Sequence, residues 1–314
     1  MRKHLKTVAI LSIAGATLLF GCKKEATPDY SEQSVNDNKV AEEGFNDMGP
    51  AINEKGIRDP AVKGCGSCGI TGRTNGIQQF YVDTTYEVPA DLAGTFITVN
   101  RKIEQDPTIQ AFNIAKIIFT ITYKNVVDGG VLKNGSIQAI LTPKKNGIGG
   151  GYTAIMGGLP STLNGVPTND GFEKKGIKYY ANISATNDAV NPNKVNIKIT
   201  NGVCTWANGD KVSYASDRTT ITDKGQLTLW GTVNGTNRKG KQYSILIDAA
   251  TPLVKTNTCN YVTSGIQKLN EDSKQENVLD FGYTKGGACD EFVKVTTGKV
   301  SWEYNMATGT STKL

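Results

Sequence analysis

From about residue 70 onward, the chain consists of short runs rich in Val, Ile, Thr, Tyr and Phe that are separated by Gly, Asn and Asp. Runs of this kind, closed by turn residues, are typical of antiparallel β-strands. No stretch of a dozen residues in this region carries the roughly 3.6-residue period of an amphipathic helix. The chain also holds 35 glycines, which weaken helix interiors. The pattern predicts an all-β fold.

Two segments show the period-two alternation of a half-buried strand most clearly. The first covers residues 115–123, and its apolar face is formed by Ile117, Phe119, Ile121 and Tyr123. The second covers residues 195–200, with inward positions predicted at Val195, Ile197 and Ile199. Further strands are predicted at residues 136–141, 226–232, 242–247, 278–283, 292–296 and 299–304.

Turn signals separate these strands. Asp128-Gly129-Gly130 predicts a reversal of the chain, and Asn201-Gly202 and Asn208-Gly209 predict hairpins because type I′ turns need positive φ at both central residues. The Gly-, Pro- and Asn-rich segment 147–171 is predicted to be a long loop, and loops of that length are often functional or mobile.

The length of the β-rich region fits either one large antiparallel β-sandwich or two paired β modules. We predict two modules, at residues 65–190 and 191–314. Residues 22–64 are polar, show no periodicity and are predicted to be a flexible, disordered tether.

Residues 1–21 have the features of a secretory signal peptide. Arg2, Lys3 and Lys6 precede an apolar run that ends at Phe20 and is too short for a membrane helix. The segment Leu19-Phe20-Gly21-Cys22 resembles a lipobox, in which the cysteine becomes acylated. The resemblance predicts a lipoprotein attached to a membrane through Cys22. The alternative is an ordinary signal peptide in which Cys22 is incidental.

Charge and histidine content exclude several functions. The chain has 35 basic and 29 acidic residues, and losing the three basic residues of the signal leaves 32 against 29, a net charge of +3. Without runs of like charge, nucleic-acid binding is not predicted. The only histidine, His4, is removed with the signal, which excludes Ser-His-Asp and Cys-His catalysis and zincin-type metal binding.

Five cysteines remain besides Cys22, and export places them where disulfides persist. Cys65-Gly-Ser-Cys68 is predicted to be a local disulfide, with a metal site or a redox pair as alternatives. Cys259 and Cys289 are predicted to bond to each other across a polar turn region. Cys204 alternates with Trp206 within a predicted strand, so we expect it to be a buried thiol.

The C-terminal third resembles a group of uncharacterised all-β surface lipoproteins of Bacteroidota. The residues that carry the resemblance lie between about 195 and 305 and include Leu229-Trp-Gly-Thr-Val, Leu279-Asp-Phe-Gly-Tyr283 and Gly287-Ala-Cys-Asp-Glu291. Lys23-Lys24-Glu25 is similar to the charged export tags of that phylum. The resemblance implies that the protein is lipid-anchored in the outer membrane and exposed at the cell surface. The alternative is a location on the periplasmic face of that membrane.

Three kinds of residue suggest binding chemistry. Trp206, Trp230 and Trp302 are candidates for stacking on sugars, although aromatic residues in strands more often pack in a core. Asp280, Asp290 and Glu291 could supply oxygen ligands to Ca²⁺, but they form no regular calcium loop, and turn-capping aspartates are commoner. We therefore predict neither a metal nor a cofactor. Asp83-Thr84-Thr85 resembles a short O-glycosylation sequon.

The sequence favours a membrane-anchored, non-enzymatic protein with a binding or envelope-structural role. An extracellular glycan or an envelope component is the expected partner. The alternative is a histidine-free glycan hydrolase or lyase that uses a pair of carboxylates.

Overall fold

The computed structural model describes residues 32–45, 83–105, 114–142, 151–157, 172–191, 193–272, 275–283, 289–308 and 310–314. These residues form one helix, α1 (Glu32–Phe45), and 17 strands, so the predicted all-β fold is confirmed. Among them no helix has the length and apolar character needed to cross a membrane. The predicted signal peptide, Cys22, Cys65 and Cys68 lie outside the described residues.

The chain divides into two compact units. The N-terminal unit comprises Gln33–Asp217 and Asn234–Gly240, and the strands of the C-terminal unit lie in Arg218–Val233 and Lys241–Leu314. The first strands are β1 (Asp83–Pro89), β2 (Phe96–Gln105), β3 (Ile114–Asp128), β4 (Val131–Thr142), β5 (Gly151–Met156), β6 (Phe172–Lys174), β7 (Ile177–Asn187), β8 (Lys194–Thr205) and β9 (Lys211–Asp223). The later strands are β10 (Gln226–Thr236), β11 (Gln242–Ile247), β12 (Leu253–Thr256), β13 (Gly265–Glu271), β14 (Asn277–Phe281), β15 (Phe292–Thr297), β16 (Val300–Asn305) and β17 (Thr310–Lys313).

The junction predicted between residues 190 and 191 lies inside the N-terminal unit. Strands β7 and β8, on either side of it, pair antiparallel over most of their length, with Ile183 opposite Ile199. The division falls instead within β9 and β10. A polar turn marks the end of a strand in the sequence, but it does not reveal whether the next strand pairs back.

The N-terminal unit is an antiparallel sheet in which β1 to β4 follow one another as neighbours. Beyond β4, the short strands β5 and β6 each pair with both β4 and β7, and β8 follows β7. The predicted alternation on β3 is confirmed, since Phe119, Ile121 and Tyr123 are buried and Ile117 is half-buried. The buried side chains of neighbouring strands share this face, which forms the core of the unit.

Two of the predicted turns form hairpins, and one does not. Gly129 and Gly130 both have positive φ and join β3 to β4. Gly209 has a φ of 88° in the turn that joins β8 to β9. Asn201-Gly202 instead lies inside β8, where only Asn201 has positive φ and the register against β7 shifts. The correct reading is a β-bulge, in which one residue is added to a continuous strand.

Strand β5 lies within the segment that the sequence predicts to be a long loop. Its buried residues Ala154 and Met156 alternate with Thr153 and Ile155, so the period of a strand is present among the glycines. The loop prediction for 147–171 is therefore wrong over Gly151–Met156. The loop prediction followed from the glycine-rich composition of the segment and missed the short alternation of β5.

The tether prediction is wrong over residues 32–45, where α1 is a folded part of the N-terminal unit. Its buried side is spaced at three or four residues and consists of Ser34, Asp37, Asn38, Ala41, Gly44 and Phe45. The ring of Phe45 contacts Tyr179 and Tyr214, at centroid distances of 5.8 and 5.3 Å. Because small and polar residues make up most of this face, it shows little hydrophobic periodicity.

An ion pair holds the first turns of α1. The carboxylate of Asp37, which is fully buried, accepts hydrogen bonds from the backbone N–H and the Nε of Arg238, each at 2.8 Å. The Arg238 guanidinium in turn lies 4.6 Å from the centre of the Trp206 ring. Beside the pair, the amide of Asn237 donates to the Ser34 hydroxyl at 3.0 Å.

In the C-terminal unit, β11 pairs with β13, and β13 to β17 then follow one another as antiparallel neighbours. The strand β12 pairs with β10. The buried hydrophobic residues of this unit include Tyr243, Ile245, Ile247, Leu253, Leu269, Leu279, Phe281, Val293, Val295 and Trp302.

Candidate binding surface

A shallow groove of about 270 Å³ lies on the sheet of the N-terminal unit. It is formed by strands β4, β5, β7 and β8, on the face opposite the core. The lining consists of Gln138, Ile140, Thr153, Ala154, Ile155, Asn182, Ile183, Ser184, Lys198 and Thr200. Hydrogen-bonding side chains outnumber apolar ones among the outward-facing positions, and none of these described lining residues is a carboxylate.

The strand register arranges the outward-facing residues in two parallel rows. In the first row, Gln138 lies opposite Ile155, Ile155 opposite Asn182, and Asn182 opposite Thr200. The second row contains Ile140, Thr153, Ser184 and Lys198, paired across the same strands. Neighbouring positions in a row are about 4.8 Å apart, because that is the spacing between strands. The floor of the groove is therefore a regular grid rather than a set of loop residues.

Lys198 is the only charged residue among the described residues of the lining, and it has a local partner. Its Nζ lies 3.9 Å from Asp217, with both side chains about half exposed, so solvent screens the attraction. Asp217 also accepts a 2.8 Å hydrogen bond from the amide of Asn196. The groove thus offers amides, hydroxyls and two isoleucines, with a single, partly neutralised positive charge at one end.

All three tryptophan candidates are buried or half-buried. Trp302 is only 7% exposed and packs in the core of the C-terminal unit opposite Val295, which corrects its assignment to sugar stacking. Trp230 is half-buried on β10. Trp206 is also half-buried, and the guanidinium of Arg238 already covers one face of its ring.

The cysteine predictions are confirmed within the described residues. Cys259 and Cys289 form a disulfide with their Cα atoms 5.5 Å apart. The bond links the loop after β12 to the residues just before β15, rather than two adjacent strands. Cys204 is a free, fully buried thiol. Burial, together with the nearby negative charge of Asp37, raises the pKa of Cys204 to about 12, so the thiol is unreactive at neutral pH.

Two carboxylates approach Tyr283 in the C-terminal unit. The Tyr283 hydroxyl donates a hydrogen bond to Glu303. Burial, then this hydrogen bond, and then the charges of Glu303 and Asp290 raise the pKa of Tyr283. Asp290 also accepts a hydrogen bond from the backbone of Phe292 at 3.0 Å. This arrangement is the structural basis for keeping the carboxylate-based alternative.

The possible calcium ligands do not assemble. Over the described residues, no group of three or more His, Cys, Asp or Glu side chains is placed to hold a metal ion. Asp280 lies on β14 opposite Lys294 of β15, and Asp290 forms the turn before Phe292. Of the possible sequon, Thr85 is exposed on β1 and accepts a hydrogen bond from Asn100 at 2.9 Å.

Comparison with known protein families, with curated proteins and with solved structures finds no match to this chain. Function must therefore be inferred from the residues themselves.

Sequence reasoning did not find the groove. Its residues are ordinary solvent-side positions of four strands, and no motif distinguishes them. The alternation on β7 and β8 shows which residues point outward, yet only the pairing register brings Gln138 and Asn182 into one row. The available signal was the abundance of uncharged polar residues at the outward positions.

Proposed function

We propose that this chain is a lipid-anchored binding protein of the bacterial outer membrane. It is held through Cys22 at the cell surface and uses the groove on β4, β5, β7 and β8 to bind an extracellular glycan or another envelope component without chemical conversion.

The lining of the groove is the observation that supports this proposal most strongly. Amide and hydroxyl side chains both donate and accept hydrogen bonds, as a hydroxyl-rich ligand requires. Glycan hydrolysis by general acid–base catalysis needs two positioned carboxyl groups, whereas the described residues of this lining offer only Lys198 as a titratable group. The chemistry of the groove therefore favours recognition over hydrolysis.

The anchor is tested by replacing the lipidated residue. The Cys22→Ser protein is expected in the soluble fraction or as an unprocessed precursor, whereas Cys204→Ser should fractionate with membranes like the wild type. Membrane-bound, mature-sized Cys22→Ser protein would contradict the anchor.

Binding is tested with the mature protein on a glycan array and against purified envelope polysaccharides, together with a screen for reducing ends released from the same substrates. The proposal expects retention without turnover. Release of product that is lost in Gln138→Ala would show that the groove is catalytic.

The carboxylate-based hydrolase or lyase remains a second candidate because Asp290 and Glu303 both lie near Tyr283. It predicts product release that is abolished by Glu303→Gln and by Asp290→Asn. Binding through the groove predicts instead that both variants retain the ligand as the wild type does.

A further inference from the structure

The groove forms one part of a longer polar row. Following the register from Gln138 away from the groove, its partner on β3 is Thr120, and the partner of Thr120 on β2 is Asn100. Asn100 lies opposite Thr85 of β1. Together with Ile155, Asn182 and Thr200, these residues form one row across seven strands, here called the polar row. Six of its seven members carry a hydroxyl or an amide.

The polar row is uncharged. Its side chains are exposed or half-buried on the face opposite Val99, Phe119 and Ile121. Solvent-facing strand positions of this kind can hold charged as well as uncharged polar residues. Next to it, Thr98, Thr122 and Ser136 form a second hydroxyl row on β2, β3 and β4. Hydroxyls and amides both donate and accept, which matches the hydroxyls of a sugar chain. Ile155 and Ile140 supply apolar contact for the C–H faces of the sugar rings.

The geometry of the row indicates the shape of the ligand. Six intervals between strands of about 4.8 Å give a length of roughly 29 Å, perpendicular to the strands. The side chains stand on paired strands rather than on loops, so little conformational freedom would be lost on binding. A straight, regularly spaced row fits a linear polymer better than a compact ligand.

Lysines lie beside the row, not in it. Lys102 and Lys198 lie on the neighbouring row, near its two ends. The charge of Lys198 is partly neutralised by Asp217. The central positions, where contact would be closest, therefore favour an uncharged chain over an acidic one.

We infer that the polar row binds one linear, uncharged glycan chain that lies across the strands from β8 to β1. The inference rests on the proposed binding function and specifies its ligand.

The test measures affinity by calorimetry for a length series of neutral oligosaccharides from β-glucan, mannan and xylan, with polygalacturonate and alginate as acidic probes. The protein is the mature chain with Ser in place of Cys22. For a neutral series that binds, affinity should rise with length until the chain spans the row. Gln138→Ala and Asn182→Ala should each weaken binding about three- to tenfold, the loss of one or two hydrogen bonds.

A variant at the far end of the row gives the sharper test. Asn100→Ala should weaken binding of long oligosaccharides by a similar factor and leave short ones, which occupy only the groove, unchanged. Gln226→Ala, at an exposed strand position of the C-terminal unit, is the matched control and should change nothing. Melting curves of each variant show whether the fold is intact.

The outcomes separate this inference from the proposed function. Tighter binding of acidic than neutral chains, or affinity independent of chain length, would overturn the inference. The proposed binding function would still stand in either case. Neutral binding that none of the three row variants affects would place the site elsewhere. Retention of none of the probes would overturn the uncharged-glycan assignment, and product release without retention would overturn the proposed function as well.

Discussion

The two units secure a peripheral segment in different ways. In the N-terminal unit, α1 is held by noncovalent contacts, with Phe45 between two tyrosines and Asp37 paired with Arg238. In the C-terminal unit, the Cys259–Cys289 disulfide joins two loops covalently. The first arrangement depends on packing at every contact, whereas the second constrains the unfolded chain and does not require a large buried surface. Substitution and reduction should therefore affect the two units separately.

The largest effect is expected from Phe45→Ala. Removing a buried aromatic side chain that is 2% exposed should lower the free energy of unfolding by about 3–5 kcal/mol. Urea unfolding, combined with hydrogen exchange resolved by mass spectrometry, should show the loss in α1 and the strands of the N-terminal unit. Val190→Ala is the control, because Val190 is 91% exposed and should change stability by less than about 0.5 kcal/mol. Faster exchange in the C-terminal unit alone would contradict the conclusion that Phe45 stabilises the N-terminal unit.

Removing the disulfide should have a slightly smaller effect in the other unit. For a sequence separation of 30 residues, the chain-entropy relation gives a loss of about 3–4 kcal/mol for the Cys259→Ala, Cys289→Ala double variant. Exchange should quicken around β12 to β15 and remain unchanged in α1. Adding a reductant should destabilise the wild type much more than the double variant, which keeps only the predicted local Cys65–Cys68 bond. An equal response of the two proteins would mean that the bond contributes nothing.

The ion pair of α1 should contribute less than Phe45. Asp37→Asn removes a charged hydrogen-bond acceptor that is fully buried, but Arg238 is 32% exposed and can recover water. We expect a loss of about 2–3 kcal/mol, below the roughly 3–5 kcal/mol for breaking a fully buried pair.

The alkylation rate of the Cys204 thiol measures the loss of stability caused by Asp37→Asn. Its thiol is buried and its pKa is raised to about 12, so alkylation at pH 8 requires the unit to open. Peptide-resolved alkylation should be faster in Asp37→Asn than in the wild type. Lys39→Gln removes an exposed helix pair of Lys39 with Glu43 and should leave the rate unchanged. Equal rates in all three proteins would show that Asp37 does not hold the helix.

The two units also differ in how well the sequence predicted them. In the C-terminal unit, β11 was predicted with its observed bounds, β14 to β16 were predicted within two residues, and the disulfide was predicted correctly, whereas β12, β13 and β17 were not predicted. Clear apolar alternation and short connections carried that information. In the N-terminal unit, the sequence did not predict α1, whose buried face is mostly small and polar, or β5, which lies among glycines. Partners distant in sequence, such as Arg238 for Asp37, stabilise those elements.

The candidate site was the least predictable part. Outward positions on a strand follow from alternation, but the row formed by Gln138, Ile155 and Asn182 depends on which strands pair and in what register. The bulge at Asn201 shifts that register by one residue, so that Asn182 lies opposite Thr200. No local signal fixes such a relation between strands.

The smallest expected effect concerns a turn in the N-terminal unit that depends on charge. The partly exposed carboxylate of Asp188 accepts hydrogen bonds from the backbone N–H groups of Val190 and Asn191, each at 2.9 Å, and pairs with Lys194 at 3.1 Å. The backbone bonds first, and then Lys194, lower the pKa of Asp188 to about 2, from an ordinary value of 3.8. Because the folded pKa is depressed, the contribution to stability is present above about pH 4 and is lost as the pH falls through about 2.

Carboxyl NMR of the native protein should therefore show Asp188 titrating near pH 2, and the amides of Val190 and Asn191 should exchange faster as it protonates. Asp188→Asn keeps an acceptor for the backbone but cannot pair with Lys194, so its turn should show no such pH dependence. The Cys259–Cys289 disulfide does not titrate and should remain formed between pH 4 and 2 in the same experiment. Titration of Asp188 near pH 4 would mean that the turn forms without the ionised carboxylate, and that packing alone determines its conformation.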